Sequence, residues 1–328
     1  MATIKQVAER AGVSTATVSK YLNGIQLKER NENAVKSAIE ELDYKVNSFA
    51  RSLRSHKSMT IGVLIPELSN LFATQIISEI ENSIMHLGYS TIVCDYKGDC
   101  KLEKEKLSFL IDKIVDALVI MPFGITKEDV ADIDIPVVFI DRKVISQNAN
   151  NIYIDNQAAI IEVCEYLIEN GHSNIGILCG TQSVFTARER LNGYKTALKM
   201  HCIDINDDFI KIGKYDVGTG YTMTKEIIGS GVTALIATNY ELTMGAVIAL
   251  NEANIIIPDE LSFVGFDAKE FALALKPKLS MVIQPIEEMG RKAAQILTKR
   301  LTGDMYEVQN VRFGARFLKK DSVKNITE

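Results

Sequence analysis

The chain has 328 residues, of which 47% are hydrophobic, so it can bury large cores in a small domain and a larger, two-lobed one. Residues 1–58 carry ten Lys or Arg against six Asp or Glu, whereas residues 59–328 carry 27 against 36. A basic head on an acidic body is expected when only the head meets phosphates, and the lack of an 18-residue apolar stretch excludes a membrane span.

The spacing of cysteine and histidine excludes further classes of site. The five cysteines follow no C-x-x-C spacing, so we interpret them as reduced structural residues, which suits the cytoplasm. The four histidines pair with nothing at metal-ligand spacing, so we predict no metal, no cofactor and no catalytic group. The chain begins without a charged-then-apolar leader, which favours a cytoplasmic protein over a secreted one.

The first predicted element is an amphipathic helix. Thr3 and Gln6 have the spacing of a capping box, in which each side chain satisfies a free backbone N–H at the helix start. Apolar residues recur at helical spacing on one face, namely Ile4, Val7, Ala8 and Ala11. Gly12 then gives the backbone freedom for a sharp turn, and Ser14 is a natural N-cap for a second helix.

The second predicted helix has two different faces. Its buried face comprises Val18, Tyr21 and Leu22. Its other face, left for DNA, comprises Thr15, Ala16, Ser19 and Lys20. A third amphipathic run closes a small three-helix core with Val35, Ala38, Ile39 and Leu42. The pattern is that of a helix-turn-helix, although any small helical bundle can show the same spacing.

From residue 59 the pattern changes to short apolar runs that alternate with amphipathic helices. The first series of predicted strands comprises 61–65, 91–94, 117–121 and 137–140, with helices over 71–87 and 101–113. The second comprises strands over 175–179, 209–212, 234–237 and 262–266, with helices over 187–201, 218–229 and 240–253. Such alternation predicts parallel sheets covered on both faces, and two series predict two lobes with a ligand cleft between them.

Several motifs resemble those of the LacI/GalR family of bacterial transcription regulators, from residue 2 to about residue 318. The resemblance rests on the T-I-K-Q-V-A-x-x-A-G-V-S-x-x-T-V-S-x-x-L-N-G run near the start, then on Tyr44, Asn47, the Ala50 to Leu53 run, Asp141-Arg142, the Arg190 to Tyr194 run, the Leu261 to Asp267 strand end and Met289-Gly290. It implies an all-α helix-turn-helix DNA-binding domain followed by an α/β, two-lobed effector domain like the periplasmic binding proteins.

The resemblance also implies boundaries. The DNA-binding domain would comprise residues 1–45, a hinge helix and linker 46–58, and the effector-binding and dimerisation domain 59–328. The first lobe would take about 59–156 and 285–312, and the second about 157–284 and 313–328. The chain would cross between lobes near 156, 285 and 313.

For DNA, the resemblance implies contacts to a pseudo-palindromic operator from a homodimer. The implied residues are Ser14, Thr15, Ala16, Thr17, Ser19, Lys20, Asn23, Tyr44, Asn47, Ala50, Arg51 and Leu53. Ala16 can touch a thymine methyl group and Lys20 can donate to guanine, whereas Leu53 would wedge into the minor groove. An ordinary helix-face leucine is the alternative for Leu53, and Val46 stands where the family commonly has proline.

For the effector, the resemblance implies a pocket between the lobes lined by Asn70, Phe72, Asp141, Arg188, Asn239, Phe266 and Asp267. An aromatic face with carboxylates, an amide and a guanidinium suits a sugar. Each residue has a structural alternative, such as a helix cap, a core position or a surface ion pair. Tyr240, Leu71 and Ala268 depart from the residues frequent in the family, which puts its commoner sugar preferences in question.

These observations predict a regulator, most simply a repressor, whose operator affinity changes when a small molecule, a sugar or sugar derivative, binds. A purine effector, a protein co-regulator and an activator role remain open. A nucleotide-dependent enzyme is disfavoured, because no G-x-x-x-x-G-K-[ST] loop occurs and Met223 replaces the third glycine of a dinucleotide fingerprint that would start at Gly218.

Overall fold

The computed structural model describes residues 2–22, 25–44, 57–145, 149–267, 269–303 and 307–327. The chain divides into two units, Met1–Ser58 and Met59–Glu328. None of the described helices is long and apolar enough to cross a membrane.

In the first unit the described residues form three helices, α1 (Ile4–Ala11), α2 (Thr15–Leu22) and α3 (Glu29–Glu41). The apolar positions predicted from helical spacing form its core. The fully buried residues are Val7, Ala8, Val18, Val35 and Ala38. Ile39 and Leu42 pack against them at the end of α3. The predicted three-helix head is therefore confirmed.

Across the described part of the second unit, twelve strands form two six-stranded sheets. Sheet one has the order β11-β5-β4-β3-β1-β2. Its strands are β1 (Thr60–Ile65), β2 (Ser90–Asp95), β3 (Ala117–Ile120), β4 (Val137–Ile140), β5 (Ala149–Ile154) and β11 (Asn310–Phe313). Sheet two has the order β12-β10-β9-β8-β6-β7. Its strands are β6 (Ile175–Gly180), β7 (Ile210–Gly213), β8 (Ala234–Ala237), β9 (Ser262–Phe266), β10 (Ser280–Ile283) and β12 (Arg316–Leu318).

Helices cover the faces of both sheets. The first lobe is sheet one with α4 (Leu71–Ile84), α5 (Cys100–Asp112) and α11 (Ile286–Thr302). The second lobe is sheet two with α6 (Asn156–Glu169), α7 (Phe185–Met200), α8 (Val217–Ile227), α9 (Tyr240–Glu252) and α10 (Lys269–Ala274). Short 3₁₀ turns lie at Met85–Leu87, Glu128–Val130 and Asp207–Phe209.

The strand pairing is parallel, as predicted, with one exception. Sheet one pairs in parallel throughout, for example Val63 with Val93 and with Val119. In sheet two β10 pairs antiparallel with β12, where Met281 faces Leu318. The chain returns from β11 in sheet one to β12 in sheet two within a few residues, so β12 enters sheet two as a short antiparallel edge.

The chain crosses between the two sheets directly after the carboxyl ends of three strands. The chain passes from sheet one to sheet two after β5, returns after β10 and passes again after β11. Asp155 at the first crossing forms an ion pair of 2.8 Å with Arg312 on β11, and its backbone N–H donates to Phe313 O. The first and third crossings are thus bonded to each other beside the cleft.

Candidate functional site

Side-chain caps fix where α1 and α2 begin. Thr3 Oγ1 accepts the backbone N–H of Gln6 at 3.3 Å, and Gln6 Oε1 accepts that of Thr3 at 2.8 Å, so the predicted capping box is confirmed. Gly12 has a φ of +64°, a left-handed conformation that favours glycine. Ser14 Oγ accepts the N–H of Thr17 at 3.2 Å and starts α2 as predicted.

The helix α2 buries Val18 in the head core and leaves its opposite face open. The exposed residues at its start and along that face are Ser14, Thr15, Ala16 and Lys20. A methyl group, hydroxyl groups and an ammonium group are therefore available on one helix surface, which is the set of groups that reads base edges in the major groove.

The remaining predicted DNA contacts differ in exposure. Thr17 and Ser19 are half-buried, and the Thr17 hydroxyl is hydrogen-bonded to that of Ser14 at 2.9 Å. Tyr44 is half-buried against the head core. The predicted residues that lie outside the described ones are Asn23, Asn47, Ala50, Arg51 and Leu53, together with most of the predicted hinge.

In the second unit a cavity of about 800 Å³ lies between the two lobes. Strands β1, β2, β3 and β4 of sheet one, and β6, β7, β8 and β9 of sheet two, are each followed within two residues by a residue that lines it. Parallel α/β sheets bind ligands beyond the carboxyl ends of their strands, which is where this cavity lies. Its volume is that of a small-molecule site. The predicted residues that line it are Asn70, Phe72, Asp141, Asn239 and Asp267.

Arg188, predicted as a pocket residue, does not line the cavity. It is exposed, and its Nη1 donates to Gln182 O and Ser183 O, both at 2.9 Å. Arg190 lines the cavity instead and is only 3% exposed. Residues two apart point to opposite sides of a helix. Arg190 lies four residues before the buried Tyr194, so helical spacing places both on the inner face of α7. Both residues also belong to the family motif from Arg190 to Tyr194.

Phe266 is also corrected: it is fully buried and does not line the cavity. The guanidinium carbon of Arg190 lies 4.0 Å from its ring centroid, a cation–π contact. Arg190 Nε donates to Asn156 Oδ1 at 2.7 Å, and its Nη1 donates to Thr238 O. A buried charge is stabilised when its donors are bonded, so Phe266, Asn156 and Thr238 hold the arginine in place.

Asn70 and Asn239 act as helix caps and share a partner that the sequence prediction missed. Asn70 Oδ1 accepts Ala73 N–H at 2.8 Å at the start of α4, and Asn239 Oδ1 accepts Leu242 N–H at 2.9 Å at the start of α9. Both side-chain amide nitrogens donate to the Glu241 carboxylate, that of Asn70 at 3.2 Å and that of Asn239 at 2.5 Å. Glu241 therefore bonds residues of both lobes.

Two aspartates that line the cavity, one from each lobe, have an unusual backbone conformation and a raised pKa. Asp141 and Asp267 have φ values of +72° and +61°, which are rare outside glycine and concentrate at functional sites. Burial raises the pKa of Asp141, against the opposing effect of Arg142 and Arg190. Burial likewise raises the pKa of Asp267 to about 6, although Arg190 and hydrogen bonds from Gln284 favour its charged form.

Three buried polar atoms on the cavity lining have no hydrogen-bond partner among the described residues. They are Arg142 Nε, Tyr215 Oη and Gln284 Oε1. Arg142 Nε lies 3.5 Å from Asp141 Oδ2 in an ion pair, and Gln284 Nε2 donates to Asp267 Oδ2 at 2.5 Å. Unpaired buried groups cost free energy, so a ligand that supplies their partners is favoured.

Of the three residues that depart from the family pattern, one is found on the cavity lining. Tyr240 lines the cavity, whereas Leu71 is the first residue of α4 and Ala268 lies outside the described residues. The Gly218 to Gly220 stretch lies inside α8, where a Cβ on Gly220 would come within 2.8 Å of Leu242 Cα. Close packing between α8 and α9 therefore explains this glycine.

No group of three His, Cys, Asp or Glu side chains in the described part of the chain could hold a metal.

Two family profiles match the sequence. Residues 3–47 match the profile described as bacterial regulatory proteins, lacI family. Residues 164–323 match a periplasmic binding protein-like domain. The two profiles fall in the first and second units respectively.

Relatives match the chain along nearly its full length. A probable HTH-type transcriptional regulator, EndR, of Paenibacillus polymyxa is 33% identical and covers 91% of this chain and 90% of its own. The HTH-type transcriptional repressor PurR of Vibrio vulnificus is 31% identical and covers 99% and 100%.

Solved structures share the fold. The Lac repressor dimer bound to operator and the anti-inducer ONPF has a TM-score of 0.86 at 25% identity, covering 98% of this chain and 99% of that one. A LacI family regulator from Enterococcus faecium with bound ribose has a TM-score of 0.74 at 26% identity, covering 82% and 100%.

Proposed function

Because the chain belongs to the LacI family of bacterial regulatory proteins, which are transcriptional regulators and not enzymes, we propose that it is a repressor controlled by a sugar. The repressor would act in the cytoplasm as a homodimer on a pseudo-palindromic operator. The sugar or sugar derivative would bind in the cavity between the lobes and change operator affinity. The observation that carries the proposal is the cavity itself, with its unpaired buried donors and acceptors.

The exposed face of α2 supports a role in reading DNA. Thr15, Ala16 and Lys20 would contact base edges, with the Ala16 methyl group on a thymine methyl group and the Lys20 ammonium on guanine. Ser14 and Thr17 would position the helix on phosphates, which sets register without reading sequence. A Lac repressor dimer bound to operator is among the structural neighbours, which supports a two-fold symmetric site.

The chemistry of the cavity supports a hydroxyl-rich effector. Gln284 Oε1 lacks a hydrogen-bond donor among the described residues, and Arg142 Nε has an ion pair with Asp141 at 3.5 Å but no hydrogen bond. A hydroxyl group can act as either donor or acceptor. Inorganic phosphate at neutral pH supplies chiefly acceptors and would leave Gln284 Oε1 unpaired, whereas the hydroxyl groups of a sugar can donate to it.

Aromatic side chains support the same class of ligand. Phe72, Phe123, Tyr215 and Tyr240 line the cavity beside its carboxylates. An apolar face beside polar groups suits a sugar ring, whose C–H face is apolar and whose edge carries hydroxyls. The Enterococcus faecium neighbour was solved with ribose, which adds support by analogy.

The proposed control is a shift in population between two lobe arrangements. A sugar changes operator affinity only by its difference in affinity for the two arrangements. Asn156, Gln284 and the Asp155–Arg312 ion pair connect cavity residues to the chain crossings, so a ligand on Arg190 or Asp267 acts directly on the connections between lobes.

The experiment is a thermal-shift screen of the purified protein against free and phosphorylated sugars, sugar acids and purines. A ligand at 100 times its Kd stabilises the fold by about 2.7 kcal/mol, which is readily seen. A sugar, phosphorylated sugar or sugar acid that gives a shift supports the proposal. A shift confined to purines would replace the sugar by that class, and a sugar shift without any effect on operator binding would contradict the regulatory role.

A further inference from the structure

Glu103, on helix α5, is a fully buried carboxylate that does not line the cavity. Its Oε1 accepts the backbone N–H of Phe123 and its Oε2 that of Gly124, both at 2.6 Å. Burying a carboxylate is costly unless it is hydrogen-bonded, and two short bonds to consecutive N–H groups offset that cost. The carboxylate therefore holds the turn that follows β3.

The same turn is also hydrogen-bonded to an arginine. Arg142 Nη1 donates to Pro122 O at 2.7 Å. The backbone from Pro122 to Gly124 is thus bonded both to a guanidinium and to a carboxylate. A Cβ on Gly124 would lie 2.7 Å from Cys100 Sγ, so the turn sits directly against the start of α5.

The turn carries an aromatic ring into the cavity wall. The Phe123 ring stacks on Tyr96 with centroids 6.4 Å apart and an interplanar angle of 25°. On the other side, the Arg142 guanidinium carbon lies 5.5 Å from the Phe123 centroid. Tyr96 is itself fixed, because its hydroxyl donates to Met121 O at 2.8 Å. These three side chains all line the cavity.

We infer that Glu103 is a positioning residue for the effector: it contacts no ligand, yet it sets the place of Phe123 and, through Phe123, of the aromatic wall formed with Tyr96 and Arg142. The function of that wall rests on the proposed sugar binding. The positioning itself is a property of the free protein, so it is tested without any ligand.

The test uses a single tryptophan, since the chain contains none. Phe123→Trp places a fluorescent reporter in the wall, and acrylamide quenching and anisotropy report its exposure and motion. The reporter protein is compared with Glu103→Ala and Glu103→Gln versions. A matched control is Glu81→Ala, since Glu81 Oε1 also accepts a backbone N–H, from Thr91 at 3.2 Å, on an exposed part of the same lobe.

We expect Glu103→Ala to raise the quenching constant of the tryptophan about twofold or more and to lower its anisotropy, because a segment without its anchoring bonds opens locally. Glu103→Gln keeps one acceptor oxygen and should give an intermediate value. Glu81→Ala should leave the reporter unchanged.

Two outcomes overturn the inference. One is a folded Glu103→Ala protein, shown by a cooperative melt, whose tryptophan is quenched like that of the reporter parent. The other, which decides the case if Glu103→Ala does not fold, is a Glu103→Gln reporter indistinguishable from its parent. A negative sugar screen would remove the proposed function and leave this fluorescence result standing.

Discussion

Asn70 and Glu241 are hydrogen-bonded across the cleft, with Asn70 Nδ2 donating to Glu241 Oε1 at 3.2 Å. Asn70 caps the first helix of the first lobe, and Glu241 lies in the first turn of α9 in the second lobe. Asn239 donates to the other oxygen of the same carboxylate. One side chain thus fixes two helix caps relative to each other across the site.

Glu241→Ala should lower the free energy of unfolding by about 1–3 kcal/mol, because two part-buried amides lose their acceptor. Urea denaturation measures the loss. Glu252→Ala on the same helix is the control, since the Glu252 carboxylate accepts an exposed hydrogen bond from the Tyr221 hydroxyl. Equal losses in the two variants would contradict a special role for Glu241.

Asp267→Asn should stabilise the protein at neutral pH. The pKa of Asp267 is raised from 3.8 to about 6 by burial, so between these values the folded protein binds more protons than the unfolded chain, and stability falls as pH rises. Above pH 6 the ionised group costs stability, up to about 3 kcal/mol. The advantage of the variant should therefore grow from pH 4 to pH 6 and then level off.

The pH dependence of Asp267→Asn is read from urea melts at several pH values. Asp259→Asn serves as the control, because Asp259 is an exposed partner of Lys324. A difference between wild type and Asp267→Asn that stays constant from pH 4 to pH 7.5 would rule out the raised pKa as its cause.

Arg190→Lys should destabilise the second lobe by about 1–3 kcal/mol, since lysine cannot reproduce the fork that bonds Asn156 and Thr238 while stacking on Phe266. Arg188→Lys, two residues away and exposed, should change stability by less than about 0.5 kcal/mol. Paired urea melts measure both. If Arg188→Lys were the more harmful change, the placement of the two arginines would be wrong.

Lys20→Ala should weaken specific DNA binding by about 1–3 kcal/mol and relax preference at one base pair in each half-site. Competition binding against single-base operator variants measures this. Lys36→Ala removes an equal charge from the exposed side of α3 and is the matched control. An equal loss for Lys20→Ala on random DNA would reassign Lys20 to a phosphate contact.

Local patterns in the sequence predicted much of the fold. The caps at Thr3 and Ser14, the head core and the strand-helix alternation all follow from near neighbours in the chain. Strand β5 was not predicted, because Asn150 and Asn151 interrupt its apolar run. Both amides are buried and bonded, for example Asn151 Nδ2 to Asn310 Oδ1 at 2.8 Å, so distant partners make the polar strand possible.

The site was predicted less completely for the same reason. Asp141 and Asp267, which the family resemblance implied as pocket residues, do line the cavity, each directly after a strand that its apolar run had predicted. Glu241 was missed, since its bond to Asn70 spans 171 positions and no local pattern reports it. Phe266, which family position implied as a wall residue, is buried instead under the guanidinium of Arg190, a contact between distant residues that no local pattern reports.

The central claim, that a small molecule in the cavity controls operator binding, is tested most directly by one titration. An operator selected by the protein from random duplex DNA is titrated at fixed salt, with and without the sugar that gives the largest thermal shift. If the sugar controls the repressor, saturating sugar should change the operator Kd about tenfold or more, a coupling of about 1.4 kcal/mol. An operator Kd unchanged by a sugar that demonstrably occupies the cavity would contradict it.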